Sequence, residues 1–272
     1  MSARTTESPD PAIVAGLMRE AARRFVLPRF RALETHEILT KSGENDLVTI
    51  ADRESEAWLA VELATLLPGS VVVGEEAVFA DAAILGLLGE PAKVWVIDPV
   101  DGTWNFAHGV ERFAMMVALV EAGTVSHGWI LEPVSGRMAI GVRGGGVTLD
   151  DVPVRLGEGS SPSATDGRFA GVAVRRMMDR AKTKPALFGA LRGSSSAGCE
   201  YLLQLAGEAD FSAYNRLLPW DHAAGAMLVA EAGGVARLLD GTPYSPLVHA
   251  GDYLSARSES VWQAIRDVLA EG

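Results

Sequence analysis

The stretch VWVIDPVDGTWNF, residues 94 to 106, places two aspartates directly after an apolar run. The run from Val94 to Ile97 is β-branched and aromatic, which predicts a buried strand ending near Ile97. Pro99 cannot continue a hydrogen-bonded ladder, and the pair Asp101-Gly102 is a common turn former. Taken alone, the stretch is more typical of a turn than of a functional site, so its meaning depends on partners elsewhere in the chain.

Four acidic residues share one pattern of placement. Glu75 follows the valine run of SVVVGEE, Asp98 and Asp101 follow the run at 94–97, and Asp221 stands after Trp220 at the start of a helical pattern. Because strand ends in one layer converge, we expect these carboxylates to lie together. Two carboxylates about 4 Å apart repel by roughly 1 kcal/mol in water and by roughly 4 kcal/mol in a partly buried site. Bound divalent cations would remove that repulsion.

The candidate ligands are all hard oxygen atoms, with no cysteine or histidine at ligand spacing. This set favours magnesium, or manganese or calcium, over zinc. His222 adjoins Asp221, but helical neighbours point about 100° apart, so we expect it to pack or to support the site from behind. Two or more such metals are typical of phosphoryl transfer to water.

Composition limits the classes of partner. The 272 residues are 48% hydrophobic, enough for a large core, and their net charge of −11 opposes broad attraction to nucleic acid or to an anionic membrane. The single cysteine, Cys199, excludes an internal disulfide. No apolar segment approaches the roughly 18 residues of a membrane span, and we expect a soluble cytoplasmic protein.

The spacing of apolar residues predicts the elements that carry these acids. A first helix, capped by Asp10, should run to about Pro28, and a second should be capped by Asp52. Antiparallel strands are predicted through residues 112–146, with turns at Ala122-Gly123 and Ser135-Gly136. The glycine triplet 144–146 lacks the Lys and Ser/Thr of a phosphate loop and predicts a hairpin. A later helix should be capped by Asp221 and stop at Gly233-Gly234.

Four ordered motifs resemble a known family. WVIDPVDGTWNF and LPWDHAAGAMLVAEAGG resemble the two signatures of the inositol monophosphatase family of magnesium-dependent, lithium-sensitive phosphatases. KSGENDLVTIADRESE and GEE occur in the family's order, so the resemblance covers roughly residues 10 to 240. It implies an α/β layered sandwich like that of this family and of fructose-bisphosphatases. Residues 1–150 would form an α+β sub-domain with an antiparallel-rich sheet, and residues 151–272 a smaller α/β sub-domain.

The resemblance also implies a metal centre of two to three magnesium ions, which manganese or calcium could replace. Glu75, Asp98 and the backbone carbonyl of Val100 would hold a first ion. Asp98, Asp101 and Asp221 would hold a second, and a third, weaker ion would lie near Glu75. The stretch 94–106 would then be both a turn and a functional site, because the turn at Pro99 would help to direct these oxygens toward shared cations.

Catalysis in such a site would depend on three further groups. Thr103, hydrogen-bonded to Asp52, would join Glu75 in orienting and deprotonating the attacking water. The backbone amides of Gly102 and Thr103, at the start of a helix, would donate to the substrate phosphate. Glycine at position 102 would let the backbone approach the ligand closely.

Two positions depart from the family pattern, and the role of a pair of serines remains open. Trp104 replaces a small hydroxyl residue and either packs in the core or walls the pocket. Tyr214 stands where inositol phosphatases carry a glutamate that binds ring hydroxyls, if no gap separates it from Trp220. Ser195 and Ser196 match the family's substrate-side loop, and they also fit a plain serine cluster at a helix start.

Three functions therefore remain in view. The first is a magnesium phosphomonoesterase acting on a small polyol, sugar or related phosphate ester. The second is the same chemistry on histidinol phosphate, a 3'-phosphonucleotide or fructose bisphosphate. The third is a metal-binding regulatory protein of the same fold, against which the joint presence of Thr103 and Asp52 argues. The expected partner is a small phosphate ester, and family members are commonly homodimers.

Overall fold

The computed structural model describes residues 8–40, 47–158 and 167–270. Its α-helices are α1 (Pro11–Ala21), α2 (Ile50–Leu66), α3 (Glu75–Ala80), α4 (Thr103–Ala107), α5 (Arg175–Lys182), α6 (Ala197–Leu205), α7 (Pro219–Glu231) and α8 (Glu259–Ala270). Its first nine strands are β1 (Ile38–Thr40), β2 (Leu47–Thr49), β3 (Val71–Gly74), β4 (Lys93–Asp101), β5 (Ala114–Glu121), β6 (Thr124–Leu131), β7 (Met138–Val142), β8 (Gly146–Leu149) and β9 (Val152–Val154). The other five are β10 (Phe169–Ala173), β11 (Phe188–Gly193), β12 (Phe211–Arg216), β13 (Val235–Leu238) and β14 (Ala250–Ala256).

The larger sheet has seven strands in the order β3-β4-β5-β6-β7-β8-β9. Only β3 and β4 are parallel, and the other neighbours are antiparallel, as the sequence predicts for 112–146. Val94 and Val96 of β4 enter one apolar core while Trp95 and Ile97 enter another. Because alternate residues of a strand point to opposite faces, β4 is covered on both sides.

The smaller sheet has five strands in the order β11-β10-β12-β14-β13. Strand β10 is parallel to both β11 and β12, whereas β14 is antiparallel to β12 and β13. The chain therefore crosses from β11 over β10 to reach β12. In sheets of this kind, ligands bind beyond the carboxyl ends of strands where the strand order reverses.

The helices and sheets alternate in layers. Helices α1 and α2 pack on the outer face of the large sheet. Helices α6 and α7 contact both sheets and lie between them, and α5 and α8 cover the far face of the small sheet. This arrangement confirms the predicted α/β layered sandwich. Among the described residues, no helix combines the length and apolar character needed to cross a bilayer.

Local chemistry explains the helix starts, and it corrects two predicted caps. Asp10 does cap α1 and accepts a hydrogen bond from Ala12 N at 2.9 Å. The cap of α2 is Thr49 instead of Asp52, which completes a capping box from the first turn. Helix α7 begins two residues before Asp221, because Pro219 occupies the first turn, where a proline needs no hydrogen-bond donor.

The predicted hairpins are present. Ala122 and Gly123 both have positive φ, 48° and 74°, as a tight two-residue turn between β5 and β6 requires. Gly144 and Gly146 join β7 to β8, and their amides donate to the Glu231 carboxylate at 3.0 and 2.9 Å. The glycine triplet is therefore a hairpin that also holds the end of α7.

The contact between α6 and α7 gives a test of the layer between the sheets. A Cβ added at Gly225 would overlap the ring of Tyr201, which is fully buried. We expect Gly225→Ala to lower the free energy of unfolding by about 1–3 kcal/mol, the usual cost of overpacking, as measured by urea denaturation. Gly86→Ala is the matched control, since nothing lies within 4 Å of its added Cβ. Equal stabilities of the two variants would contradict this packing.

Candidate metal centre

A bulge in β4 brings Asp98 and Asp101 to the same side of the sheet. Asp98 pairs with Met116 and Asp101 pairs with Ala114, so three steps along β4 oppose two along β5. In a regular strand, residues three apart point to opposite faces, and the extra residue reverses this relation. The strand therefore does not end near Ile97, as the sequence predicts, but continues through the bulge to Asp101.

Asp221 completes the group from the other half of the chain. It lies in the first turn of α7, and one oxygen from each of Asp98, Asp101 and Asp221 lies within 4.8 Å of the others. All three side chains offer a carboxylate oxygen as a metal ligand. Among the described residues, no other group of three or more acidic, histidine or cysteine side chains lies this close together. The geometry thus brings together three of the predicted carboxylates.

Glu75 lies beside this trio instead of within it. It is the first residue of α3, and the preceding Gly74 pairs with Ile97 in the parallel β3–β4 register. Burial raises the pKa of Asp98 and of Asp221 well above the usual range, and the charge of Glu75 is the next largest cause for both. Glu75 is therefore an electrostatic neighbour of the trio, and the Val100 carbonyl lies on the bulge between the two aspartates of β4.

Glu56 is a positioning residue that the sequence analysis missed. Its buried carboxylate accepts hydrogen bonds from Glu76 N at 2.8 Å and Ala77 N at 2.9 Å, which satisfies the start of α3. A Cβ at Gly74 would overlap this carboxylate, so glycine is required for the approach. Glu56 thus fixes the turn that carries Glu75. Its spacing of four residues from Asp52 on α2 was a signal, but many surface acids have the same spacing.

Thr103 and Asp52 lie in hydrogen-bond contact. The Thr103 hydroxyl is 3.2 Å from Asp52 Oδ1 and 3.0 Å from the Val100 carbonyl oxygen. The other Asp52 oxygen accepts from the Thr49 amide at 2.8 Å and from its hydroxyl at 2.5 Å. Burial raises the pKa of Asp52 to about 7, although the bonds from Thr49 oppose the rise. Asp52 therefore has two partners: it completes the capping box of α2 with Thr49, and it contacts Thr103 beside the acidic trio.

Asp101 is held by the start of α6. Its oxygens accept from the Ser196 hydroxyl at 2.5 Å and from the amides of Ala197 and Gly198 at 3.0 and 2.8 Å. Burial raises the pKa of Asp101, and these donors oppose the rise. A Cβ at Gly198 would lie 2.6 Å from the Ala114 Cβ, so glycine allows α6 to approach β5. The Ser196 hydroxyl, predicted to bind substrate, is bonded to Asp101.

Glu200 organises the substrate-side loop, and it too was missed. Its fully buried carboxylate accepts from the Tyr214 hydroxyl at 2.5 Å, the Ser195 amide at 2.8 Å and the Ser194 hydroxyl at 3.0 Å. Arg112 lies 3.5 Å from the same group. Burial raises the pKa of Glu200, and the bond from Tyr214 opposes that rise. This network could not be predicted from the sequence, because Tyr214 and Arg112 reach Glu200 from separate elements.

A cavity of about 190 Å³ opens beside the aspartates, and its walls come from both halves of the chain. They are formed by Asp101, Val174, Ser194, Ser195, Ser196, Ala197, Tyr214, Asn215, Arg216, Asp221 and His222. Gly102 adjoins it with φ of 88°, and a Cβ there would lie 3.0 Å from the Ser196 Cβ and 3.1 Å from the Ser195 carbonyl oxygen. Only glycine fits that position without strain.

Two other sequence questions are answered by burial. Trp104 is 43% exposed and stacks on His108 with ring centroids 4.0 Å apart, so of the two alternatives for this residue, packing in the core is wrong. His222 is buried, and burial lowers its pKa to about 4. Its Nε2 donates to the Arg216 carbonyl at 2.9 Å, which makes it a supporting residue, as the sequence predicts.

The residues present fit magnesium. The trio offers hard oxygens, and the pKa values of its carboxylates are raised because burial and the charges of neighbouring carboxylates both disfavour ionisation. Arg216 is the one cation among the leading influences on the trio, and it lowers the pKa of Asp221. A bound divalent cation would supply the missing charge.

Comparison with known proteins agrees with this geometry. The model of the inositol monophosphatase family matches residues 11–269. A fructose-1,6-bisphosphatase/inositol-1-monophosphatase of Thermotoga maritima is 32% identical over 203 residues, 72% of each chain. The Nus factor SuhB of Pseudomonas aeruginosa is 31% identical over 219 residues, 76% of this chain and 78% of that one. A solved IMPase structure of Thermotoga maritima has a TM-score of 0.79 at 24% identity and covers 96% of this chain and 98% of its own.

Metal binding should show in thermal stability. Burial raises the pKa of Asp52 and of Glu56 to about 7, so the metal-free folded chain holds protons that the unfolded chain releases above about pH 4. The folded state then binds more protons, and its stability falls as pH rises from about 4 through about 7. We expect the Tm in chelator to be lower at pH 7.5 than at pH 5.5.

Magnesium should offset that loss, because it would bind Asp98, Asp101 and Asp221 in their deprotonated form. At about 100 times its Kd, it would stabilise the fold by about 2.7 kcal/mol. The check is a thermal scan at pH 7.5 with magnesium, with chelator and with potassium chloride at equal ionic strength. A Tm that magnesium leaves unchanged would count against a metal centre.

Glu56 gives a second test that does not depend on turnover. The amide of Glu56→Gln would replace one acceptor with a donor facing a backbone N–H, so one of the two bonds to α3 is lost. We expect the magnesium Kd from isothermal titration calorimetry to rise about 10–100-fold, the usual effect of removing a group that orients a ligand. Glu62→Gln, also on α2, is the control and should bind as the wild type does. Equal affinities of the two variants would rule out the role given to Glu56.

Proposed function

The chain belongs to the inositol monophosphatase family, and on that premise we propose that it is a magnesium-dependent phosphomonoesterase of a small polyol, sugar or related phosphate ester. The observation that carries the proposal is the trio Asp98, Asp101 and Asp221, whose oxygens lie within 4.8 Å of one another beside the start of α4. When bound, magnesium ions would lower the pKa of the attacking water and neutralise charge on the phosphate. Glu75 and the Val100 carbonyl complete the proposed ligand set.

The water would be oriented by the groups around Thr103. Because Asp52 accepts from the Thr103 hydroxyl, a lone pair of that hydroxyl remains to accept a hydrogen bond from water. Glu75, on the neighbouring element, would take up the proton as the water attacks. Asp52 would act indirectly, because it accepts a hydrogen bond from Thr103 and so fixes the direction of that hydroxyl.

The phosphate would lie over Gly102. The amides of Gly102 and Thr103 are at the start of α4, and the positive φ of 88° at Gly102 lets the backbone approach the ligand closely. Ser195 is exposed in the substrate-side loop and would contact the leaving group. Ser196 would act mainly through Asp101, to which its hydroxyl donates.

Tyr214 argues against inositol monophosphate as the best substrate. Its only hydroxyl proton lies toward Glu200, so the side chain gives the cavity a ring wall in place of a carboxylate. Vicinal hydroxyls of a polyol need acceptors and would be left unpaired there. Histidinol phosphate, a 3'-phosphonucleotide and fructose bisphosphate remain the alternatives, and one relative carries a fructose-1,6-bisphosphatase name.

A second candidate is a metal-binding regulatory protein of the same fold. One relative is named a Nus factor instead of a phosphatase, which is the observation in its favour. The hydrogen bond between Thr103 and Asp52 favours the enzyme, since a regulator has no need of it. Lithium sensitivity and a homodimer stay predictions of the resemblance, and a cytoplasmic location stays a prediction from the sequence pattern.

Phosphate release separates the two candidates. We expect magnesium-dependent release from a panel of phosphate esters, and Asp98→Asn should reduce it to background because Asp98 is assigned to both principal metals. Thr103→Ala should lower kcat by about 10²–10⁴-fold, the usual contribution of a group that assists proton transfer. The control is Asp179→Asn, an exposed residue of α5. Circular dichroism checks each fold, and near-normal turnover by Asp98→Asn would refute the assignment.

A further inference from the structure

We propose that Arg216 determines specificity by binding an anionic group, a carboxylate or a second phosphate, on the leaving group of the substrate. This inference rests on the proposed function and adds the charge of the leaving group to it. Arg216 is the last residue of β12 and lines the cavity beside Asp101 and Asp221. It therefore stands between the metal centre and the space that a leaving group would occupy.

The Arg216 guanidinium is available. The side chain is exposed, and among the described residues it has no ion pair or hydrogen bond. Its charge reaches Asp221 and lowers the pKa of that carboxyl, although the two groups form no ion pair within 4.0 Å. An arginine beside several carboxylates that pairs with none of them has its hydrogen-bond donors free for a ligand.

The backbone of Arg216 is held in place. The β12–β14 pairing shifts register between Tyr214 and Arg216, so the strand bends at this point. The Arg216 carbonyl accepts from His222 Nε2 at 2.9 Å, and His222 follows Asp221 on α7. Helix α7, which carries Asp221, therefore also holds the backbone of Arg216 in position.

The cavity offers no free carboxylate to the hydroxyls of a neutral polyol. Asp101 and Asp221 are assigned to metals, and the Tyr214 proton lies toward Glu200. What remains toward a leaving group are the Arg216 guanidinium, which only donates, and the Asn215 amide and the Ser195 hydroxyl, which can donate as well as accept. Donors without a free carboxylate complement an anion, and arginine binds carboxylate and phosphate groups through two parallel hydrogen bonds.

Matched pairs of esters test the inference. Glycerol 2-phosphate and 2-phosphoglycerate differ by one carboxylate in place of a hydroxymethyl group. Adenosine 3'-phosphate and adenosine 3',5'-bisphosphate differ by one phosphate. The measurement is kcat/KM for each ester with magnesium, for the wild type, Arg216→Gln and Arg216→Lys. The two pairs distinguish a carboxylate from a phosphate as the anion.

We expect the wild type to prefer the anionic member of at least one pair by about tenfold to a hundredfold, the effect of a hydrogen bond between charged groups. Arg216→Gln should bring that ratio to about one, mainly by raising the KM of the anionic ester. Arg216→Lys should retain part of the preference. Arg192→Gln is the matched control, because Arg192 is an exposed arginine of β11 that lines a different cavity, and it should keep the wild-type ratio.

Three results would overturn the inference. A wild-type ratio near one in both pairs, or a preference that Arg216→Gln leaves intact, would refute it while hydrolysis stands. An equal loss of kcat on both members of a pair, with a changed magnesium requirement, would make Arg216 a counter-ion of Asp221 instead. If no ester releases phosphate with magnesium, the proposed function itself fails.

Discussion

Repulsion among buried carboxylates is the constraint on which the rest of this structure depends. Asp98, Asp101 and Asp221 bring oxygens within 4.8 Å of one another, and Glu75 and Asp52 add charge from either side. Carboxylates that were not held by the fold would move into water, because burial of an unpaired charge costs several kcal/mol. The fold therefore has to hold these groups in position until a cation binds.

Backbone amides at the N-termini of helices hold several of these carboxylates in position. The first amides of α6 bind Asp101, those of α3 bind Glu56, and Asp52 binds the cap of its own helix. A helix start presents unpaired N–H groups and a partial positive charge, so it binds a carboxylate without adding a basic side chain. This explains how an acidic protein can keep acidic groups together without placing a basic side chain between them.

Close backbone approaches make the arrangement possible. Gly74 leaves room for the Glu56 carboxylate, Gly198 lets α6 reach β5, and Gly102 turns the chain from β4 into α4. The bulge after Asp98 reverses the direction of one aspartate so that both point to the same side of the sheet. In the wall of the cavity, Glu200 and Tyr214 form a buried hydrogen-bond pair that holds the Tyr214 ring in place. The acidic trio and the wall of the cavity are thus held by separate hydrogen-bond networks that meet at the loop 194–196.

The sequence by itself determined the strand before Asp98, the layered α/β class, the hairpins and the identity of the clustered acids, because these follow from periodicity, turn chemistry and ordered motifs. It did not determine that β4 continues to Asp101, that Thr49 caps α2, or that Trp104 is exposed. It also missed Glu56 and Glu200, whose partners lie on separate elements. Short-range patterns report what a residue does to its own segment. Which amide a buried carboxylate meets, and which arginine is left without a partner, is decided only when distant segments pack together.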